Sequence, residues 1–180
     1  MLAPVARIIW LNGAFGSGKT TTANELVEPL PGARTFDPEI VGFMLRHCIS
    51  EPVPDFQDRP AWRALVPQVV DRMPKHYGGV LLAPLAVMRR DCLAEILGGL
   101  PHRDIEHHHV LLDVRAVELV RRVHTDAIET GARQRRLVQV EGYLECRRRH
   151  PRTLCRDAGM VPTARVPLPK CSRRCRSAAH

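Results

Sequence analysis

The most constraining feature of this chain is a glycine-rich stretch near its start, which reads Gly13-Ala14-Phe15-Gly16-Ser17-Gly18-Lys19-Thr20. It fits the spacing G-x-x-x-x-G-K-[ST] at every fixed position. An apolar, β-branched run from Ala6 to Leu11 precedes it, and the residues from Lys19 to Val27 have the pattern of a helix. A strand, a glycine-rich loop and a helix in this order predict a phosphate-binding P-loop in an α/β sheet.

Each fixed position of the loop has a physical role. Glycines allow positive φ, so that successive backbone N–H groups can point at phosphate oxygens beside the positive end of the following helix. Lys19 is expected to reach the β and γ phosphates, and the Thr20 hydroxyl is a hard oxygen donor suited to Mg²⁺. We therefore expect residues 13–20, together with Thr21, to bind ATP with Mg²⁺.

Further strands and helices alternate along the chain after the loop. Strands are predicted at residues 33–36, 80–87 and 109–114, and a loop at residues 49–60. Helices are predicted from Asp37-Pro38 to about residue 47, and then at about residues 61–73, 90–97 and 117–127. This alternation predicts an α/β fold of the P-loop NTPase class, a parallel sheet flanked by helices.

The charge of the chain divides it into two parts. Residues 1–130 hold 14 basic and 16 acidic residues, whereas residues 131–180 hold 13 and 3. We expect a P-loop core over residues 1–130 and a basic tail over residues 131–180 without regular structure. The tail would be either a remnant of a lid or the product of a shifted reading frame. Contact of the tail with RNA or an anionic membrane is an alternative, although no specific nucleic-acid partner is expected.

The composition argues against a membrane span, secretion and a metal site built from cysteine or histidine. No apolar run approaches the roughly 20 residues that span a bilayer and no secretory signal is evident, so we expect a cytoplasmic protein with reduced cysteines. A zinc site at Cys171 and Cys175 with His150 or His180 is disfavoured, because the spacings match no closed structural pattern. The run His107-His108-His109 begins a strand, so its side chains alternate between faces and do not favour one metal ion.

With Ile8 to Thr20 (IIWLNGAFGSGKT) in view, the chain resembles the tunicamycin-resistance ATP-binding proteins, a branch of P-loop kinases. The likeness continues through Asp37-Pro38-Glu39, Asp55-Phe56-Gln57 with Trp62-Arg63, and the run from Val80 to Val87, over about 130 residues. The resemblance implies a nucleoside-kinase-like sheet. It also implies resistance to a uridine-containing antibiotic, by phosphorylation or by ATP-dependent binding.

Candidate residues for the acceptor side follow from this resemblance and from position. Asp37 matches the family's acidic position at a strand's carboxyl end, where it could position the attacking hydroxyl; the alternative is a plain helix N-cap. Trp62 could stack on a uracil-like ring while Arg46 and Arg63 meet its polar edge. A buried core tryptophan with solvated arginines is the alternative.

Two further residues are candidates for charge stabilisation. Arg122 matches a phosphate-facing arginine on the family's lid-leading helix, although Asp126 stands where a second arginine is expected. Asp113 ends the apolar run Val110-Leu111-Leu112 and is a candidate ligand for Mg²⁺. Arg133, Arg135 and Arg136 lie just beyond the lid-leading helix and could reach the phosphates of ATP.

The combined prediction is a small-molecule kinase that phosphorylates a hydroxyl of a nucleoside-type antibiotic. Lys19, Asp37 and Arg122 are its predicted catalytic residues. The alternative is a protein that sequesters the antibiotic in an ATP-dependent way without phosphoryl transfer. The sequence leaves the acceptor hydroxyl and the oligomeric state open.

Overall fold

The computed structural model describes residues 7–100, 105–125, 130–149 and 159–162. They form one sheet of five parallel strands in the order β2-β3-β1-β4-β5, flanked by helices. No helix among these residues is long and apolar enough to cross a lipid bilayer. The elements are β1 (Arg7–Gly13), α1 (Lys19–Val27), β2 (Arg34–Thr35), α2 (Glu39–Cys48), a 3-10 helix (Phe56–Asp58), α3 (Pro60–Tyr77), β3 (Val80–Leu85), α4 (Arg90–Gly98), β4 (Glu106–Asp113), α5 (Ala116–Thr125), α6 (Thr130–Arg149) and β5 (Gly159–Pro162).

Strand β1 lies at the centre of the sheet, between β3 and β4, and is apolar on both faces. Ile8 and Trp10 point into the larger core cluster, which also includes side chains of α2, α3 and α4. Leu11 points to the opposite face, where it packs with Ala23 of α1 and Leu82 of β3. A central strand must be apolar on both faces when helices cover both faces of a parallel sheet. Residue 13 lies at the carboxyl end of β1, which is the edge where open α/β sheets bind ligands.

The predicted elements occur in the predicted order, with shifted ends. Helix α1 has the predicted bounds. Helix α3 is longer than predicted, because it continues to Tyr77 with Pro67 and Pro74 inside it. Strand β4 begins at Glu106, so the three histidines lie within it; Arg7 of β1 forms an ion pair of 2.7 Å with Glu106 at this end of the strand.

The expectation that no regular structure follows residue 131 is wrong for residues 131–149. They belong to α6, whose Val140 and Tyr143 are buried in a cluster with Ala14 and two residues of α5. A strand at residues 159–162 then pairs with β4. Four apolar residues at positions 137, 140, 143 and 144 follow helical spacing within the arginine-rich segment, and burial of that stripe stabilises the helix. The other tail residues, including those of the zinc alternative, lie outside the described residues.

Candidate functional site

The loop between β1 and α1 has a backbone shape that depends on glycine. Gly16 and Gly18 have φ of 78° and 93°, a region that other residues rarely adopt, and Gly18 is also the N-cap of α1. A Cβ atom on Gly13 would lie 2.6 Å from Ser17 Oγ and 2.8 Å from the carbonyl oxygen of Leu112. The loop is therefore closed against the end of β4 and curls over the N-terminus of α1, as expected of an anion site.

Lys19 is folded over the loop that it follows. Its Nζ donates hydrogen bonds to the carbonyl oxygens of Gly13 at 3.0 Å and Ala14 at 2.8 Å. Burial lowers the pKa of Lys19 to about 8, and the negative charge of Glu39 opposes that shift. An ammonium group with a lowered pKa, held on two carbonyl oxygens, gains from exchanging them for phosphate oxygens.

The loop also contains a hydroxyl without a partner. Ser17 is 2% exposed, and its Oγ atom has no hydrogen-bond partner among the described residues. Buried hydroxyls are costly when unpaired, so this one is available to hydrogen-bond to a group that enters the loop. Together with Lys19 and the exposed Thr20, the loop has donors that fit a nucleotide phosphate and its metal ion.

Arg122 lies against the loop, as the resemblance implied. Its Nη1 donates to the carbonyl oxygen of Gly16 at 3.1 Å, and its Nε donates to Glu118 at 2.7 Å. Hydrogen bonds from Arg121 and Arg122 lower the pKa of Glu118 to about 2, so this carboxylate stays ionised and anchors the guanidinium. A second cation thus stands beside Lys19, on helix α5. Asp126 lies outside the described residues.

Asp37 follows β2 and lies at the start of α2. Its Oδ1 accepts a hydrogen bond from the backbone N–H of Glu39 at 2.9 Å, and the side chain is exposed. Asp37 therefore makes a capping-type contact, as the alternative interpretation predicted.

Glu39 is a site candidate that was not predicted as a functional residue. Burial raises its pKa, the Asp37 and Asp55 carboxylates raise it further, and the charge of Lys19 lowers it. Its carboxyl group therefore lies within electrostatic reach of both the loop lysine and the two aspartates. A second acidic residue in the first turn of α2, two positions after Asp37, is the sequence signal that could have indicated it.

The prediction that Trp62 stacks on a substrate is wrong. Its side chain is 2% exposed within the larger core cluster, and its Nε1 donates to the carbonyl oxygen of Pro38 at 3.0 Å. The apolar face of α3 packs beneath the start of α2, and this packing buries the indole. Trp62 instead supports the turn that carries Asp37 and Glu39.

Arg63 and Arg46 are engaged with other protein groups. Arg63 donates to Glu95 at 2.6 Å and to the backbone oxygen of Gln57, so it holds the 3-10 helix to α3 and α4. The Arg46 guanidinium lies 4.7 Å from the centroid of the Phe56 ring. Both arginines therefore support the segment at residues 55–58, and neither lines the cavity described below.

Asp113 stands at the carboxyl end of β4, one position after Leu112, which pairs with Gly13. Its Oδ1 accepts a hydrogen bond from the Tyr143 hydroxyl at 2.9 Å, so α6 is tied to this end of the sheet. Its role with Mg²⁺ remains a prediction. The three histidines lie within β4, where His107 and His108 are exposed and His109 is buried. The described residues contain no cluster of three or more histidine, cysteine or acidic residues able to hold a metal ion.

A cavity of about 460 Å³ opens directly beside the phosphate loop. Its walls come from residues 13–15 of the loop, from Asp55, Gln57 and Asp58, from the connection between β3 and α4, and from α6. Phe15, Met88 and Tyr143 form an apolar side, and the aspartates and two arginines form a polar rim. A volume of this size is typical of small-molecule sites. Sequence reasoning missed this cavity because four separate segments build it.

Helix α6 reaches the loop through an aromatic contact. The Arg136 guanidinium lies 4.0 Å from the centroid of the Phe15 ring, a cation–π distance. Arg136 also lies close enough to Glu39 to lower its pKa. One of the three arginines predicted to reach the phosphates thus lies at the loop, stacked on Phe15. Arg133 is partly buried in the same helix.

Comparison with known proteins shows where this architecture recurs. No protein-family model and no curated protein sequence matches the chain. The tunicamycin resistance protein of Deinococcus radiodurans is 26% identical, with a TM-score of 0.73 over 91% of this chain and 89% of that one.

Two kinases share the fold at lower identity. The gluconokinase of Sinorhizobium meliloti is 17% identical, with a TM-score of 0.60 over 92% of this chain and 86% of that one. A sugar kinase from a Janibacter species is 19% identical, with a TM-score of 0.55 over 88% and 84%. The chain therefore has the P-loop NTPase fold, which confirms the predicted fold class.

Proposed function

We propose that this protein transfers the γ-phosphoryl group of ATP to a hydroxyl of a nucleoside-type antibiotic of the tunicamycin kind, and so confers resistance. The observation that carries the proposal is the cavity of about 460 Å³ that opens on the phosphate loop at residues 13–15. A site for a small molecule adjoining a site for phosphates is what phosphoryl transfer requires. The similarity to a tunicamycin resistance protein supports this choice of acceptor.

In the proposed reaction, the acceptor hydroxyl oxygen bonds to the γ phosphorus of ATP. The bond from that phosphorus to the β–γ bridging oxygen breaks, and its electron pair stays on ADP. Asp37 orients the hydroxyl and receives its proton, which then passes to solvent. Because Asp37 lies outside the cavity lining, the reacting hydroxyl would belong to a part of the acceptor that extends out of the cavity. Lys19 and Arg122 stabilise the negative charge on the transferred group, because both cations already lie on carbonyl oxygens of the loop.

A magnesium ion fits the same surroundings. The Thr20 hydroxyl at the start of α1 would hold it, and Asp113 would supply a carboxylate. When bound, the metal ion neutralises charge on the phosphates of ATP.

The proposal is tested by incubating the protein with ATP, Mg²⁺ and tunicamycin or uridine, and by measuring the mass of the recovered acceptor. A gain of one phosphate group, absent with the Lys19→Ala variant, would support it. An unmodified acceptor at full enzyme concentration, from protein that binds both ligands, would contradict it.

A second candidate function is ATP-dependent sequestration of the antibiotic without transfer. It is favoured by β3, the neighbour of β1, whose six residues from Val80 to Leu85 are apolar and include no acid for a metal ion. Under this alternative, antibiotic binding still depends on ATP and no phosphorylated product forms. The mass measurement therefore separates the two functions.

A further inference from the structure

The cavity beside the loop contains a carboxylate that the proposed function has not used. Three acidic residues line the cavity: Asp55, Asp58 and Asp91. Asp58 and Asp91 are both paired with Arg89, at 2.7 Å and 2.9 Å. Asp55 forms no salt bridge in the described part of the chain. Of the three carboxylates that line the cavity, it is therefore the one whose negative charge is available to a ligand.

The hydrogen bonds of Asp55 orient it without saturating it. Its Oδ1 accepts from the backbone N–H of Gln57 at 3.0 Å, and its Oδ2 lies 3.4 Å from Gln57 Nε2. A carboxylate has about four lone-pair positions, so these two contacts leave room for hydroxyl donors. Asp55 is only partly buried, and a ligand in the cavity can reach it.

The segment that carries Asp55 is fastened to three other elements. Gln57 Nε2 donates to the carbonyl oxygen of Ala86 at 3.0 Å, beyond the end of β3. The backbone oxygen of Gln57 accepts from Arg63 of α3 and, at 3.8 Å, from the thiol of Cys92 on α4. A carboxylate held in this way keeps its position when a ligand binds, and so it loses little conformational entropy.

Asp55 lines the cavity and also interacts electrostatically with Glu39, a residue near the phosphate loop. The Asp55 carboxylate acts electrostatically on Glu39, which in turn lies within reach of Lys19. Asp37 and Glu39 do not line the cavity. A hydroxyl bound at Asp55 would therefore lie in the cavity, within electrostatic reach of Glu39.

The wall formed by Phe15, Met88 and Tyr143 is apolar, unlike the side that carries Asp55. Arg136 covers one face of the Phe15 ring, which fixes the orientation of that ring. A ligand with hydroxyls on one edge and an apolar face matches this division, and a nucleoside or sugar ring has that shape. Resting on the proposed function, we propose that Asp55 binds the phosphoryl acceptor, accepting hydrogen bonds from hydroxyls of a nucleoside- or sugar-sized ring that packs on Phe15 and Met88.

The test compares Asp55→Asn with the wild type, using tunicamycin and uridine as acceptors. Asn keeps the oxygen that accepts from Gln57 N–H but removes the charge, so the fold is retained; a thermal unfolding curve checks this. Acceptor affinity is measured by calorimetry in the presence of a non-hydrolysable ATP analogue. Loss of a hydrogen bond to a charged group should weaken acceptor binding about 10- to 100-fold, with ATP-analogue affinity within about twofold of wild type.

Two further variants, Glu51→Gln and Asp37→Asn, serve as comparisons for Asp55→Asn. Glu51→Gln removes an exposed acid from the same connection, outside the cavity, and should leave acceptor affinity unchanged. Asp37→Asn should lower kcat more than it changes acceptor KM, whereas Asp55→Asn should raise KM. Equal acceptor affinity in Asp55→Asn and wild type would overturn the inference, as would failure of wild type to bind either acceptor. Binding that depends on Asp55 without any phosphorylated product would instead support the inference and contradict the proposed transfer.

Discussion

The phosphate loop takes its shape from eight consecutive residues, whereas the adjoining cavity is assembled from segments that lie between positions 13 and 143. The loop depends on the local conformations of glycine and on the start of one helix. The cavity depends on how the 3-10 helix, the β3–α4 connection and α6 pack around that loop. Changes at the loop should therefore abolish nucleotide binding, while changes in packing should alter acceptor binding and leave the nucleotide in place.

The largest effect is expected from Lys19→Ala. This variant removes the ammonium that lies on the loop carbonyl oxygens, and the transferred phosphoryl group loses a stabilising cation. Transfer should fall by about 100-fold or more, and ATP affinity should fall with it. Titration with a fluorescent ATP analogue measures the affinity. The control for loss of one positive charge is Arg72→Ala, at an exposed position of α3. Unchanged ATP binding by Lys19→Ala would disprove the phosphate site.

The pH dependence of ATP binding should show the same lysine. The pKa of Lys19 is about 8 in the ligand-free protein, and phosphate favours the protonated form, so binding takes up a proton above that pH. ATP affinity should fall by about tenfold for each pH unit above 8. Because the pKa of Lys19 is lower in the folded state than the unfolded value of 10.5, the unfolded chain binds more protons between pH 8 and 10.5. The contribution of Lys19 to the free energy of unfolding therefore increases as the pH rises through this range. Isothermal titration between pH 7.5 and 9.5 tests the binding, and a similar decline in Lys19→Ala would refute the assignment.

Gly42→Ala should disturb the cavity and spare the loop. A Cβ atom at this position of α2 would lie 2.4 Å from Cγ of the Phe56 ring, which belongs to the 3-10 helix that follows Asp55. Displacement of the ring should cost about 1 to 3 kcal/mol in the free energy of unfolding and weaken acceptor binding, with ATP affinity retained. Gly98→Ala is the matched control, because a Cβ atom there meets nothing within 4 Å. Equal unfolding free energies for the two variants would contradict this packing.

The smallest effect is expected from Tyr143→Phe on α6. The variant removes the hydroxyl that donates to Asp113 at 2.9 Å and keeps the ring that lines the cavity. The free energy of unfolding should fall by about 0.5 to 1.5 kcal/mol. Urea denaturation measures it, with Val138→Ala on an exposed position of the same helix as a control. A change no larger than that of the control would show that this hydrogen bond does not hold α6 to the sheet.

The sequence was sufficient for features that depend on nearby residues. It predicted the loop at residues 13–20, the bounds of α1 and the alternation of strands and helices, because glycine positions and hydrophobic periodicity are local signals. It also predicted that Arg122 belongs near the loop, through a family resemblance. Helix α6 was missed, although its apolar stripe at helical spacing was present, because the surrounding arginines obscured it.

Other features were decided only by tertiary structure. Whether Trp62 faces a ligand or the core depends on how α3 packs beneath α2, which the spacing of one helix does not specify. The availability of Asp55 follows from Arg89, which pairs with the nearby Asp91 and, across 31 residues of the chain, with Asp58. Local sequence determines which residues can bind phosphate, since backbone conformation is largely a short-range property. The packing of separate segments determines which side chains line the cavity, because burial and ion pairing depend on long-range contacts.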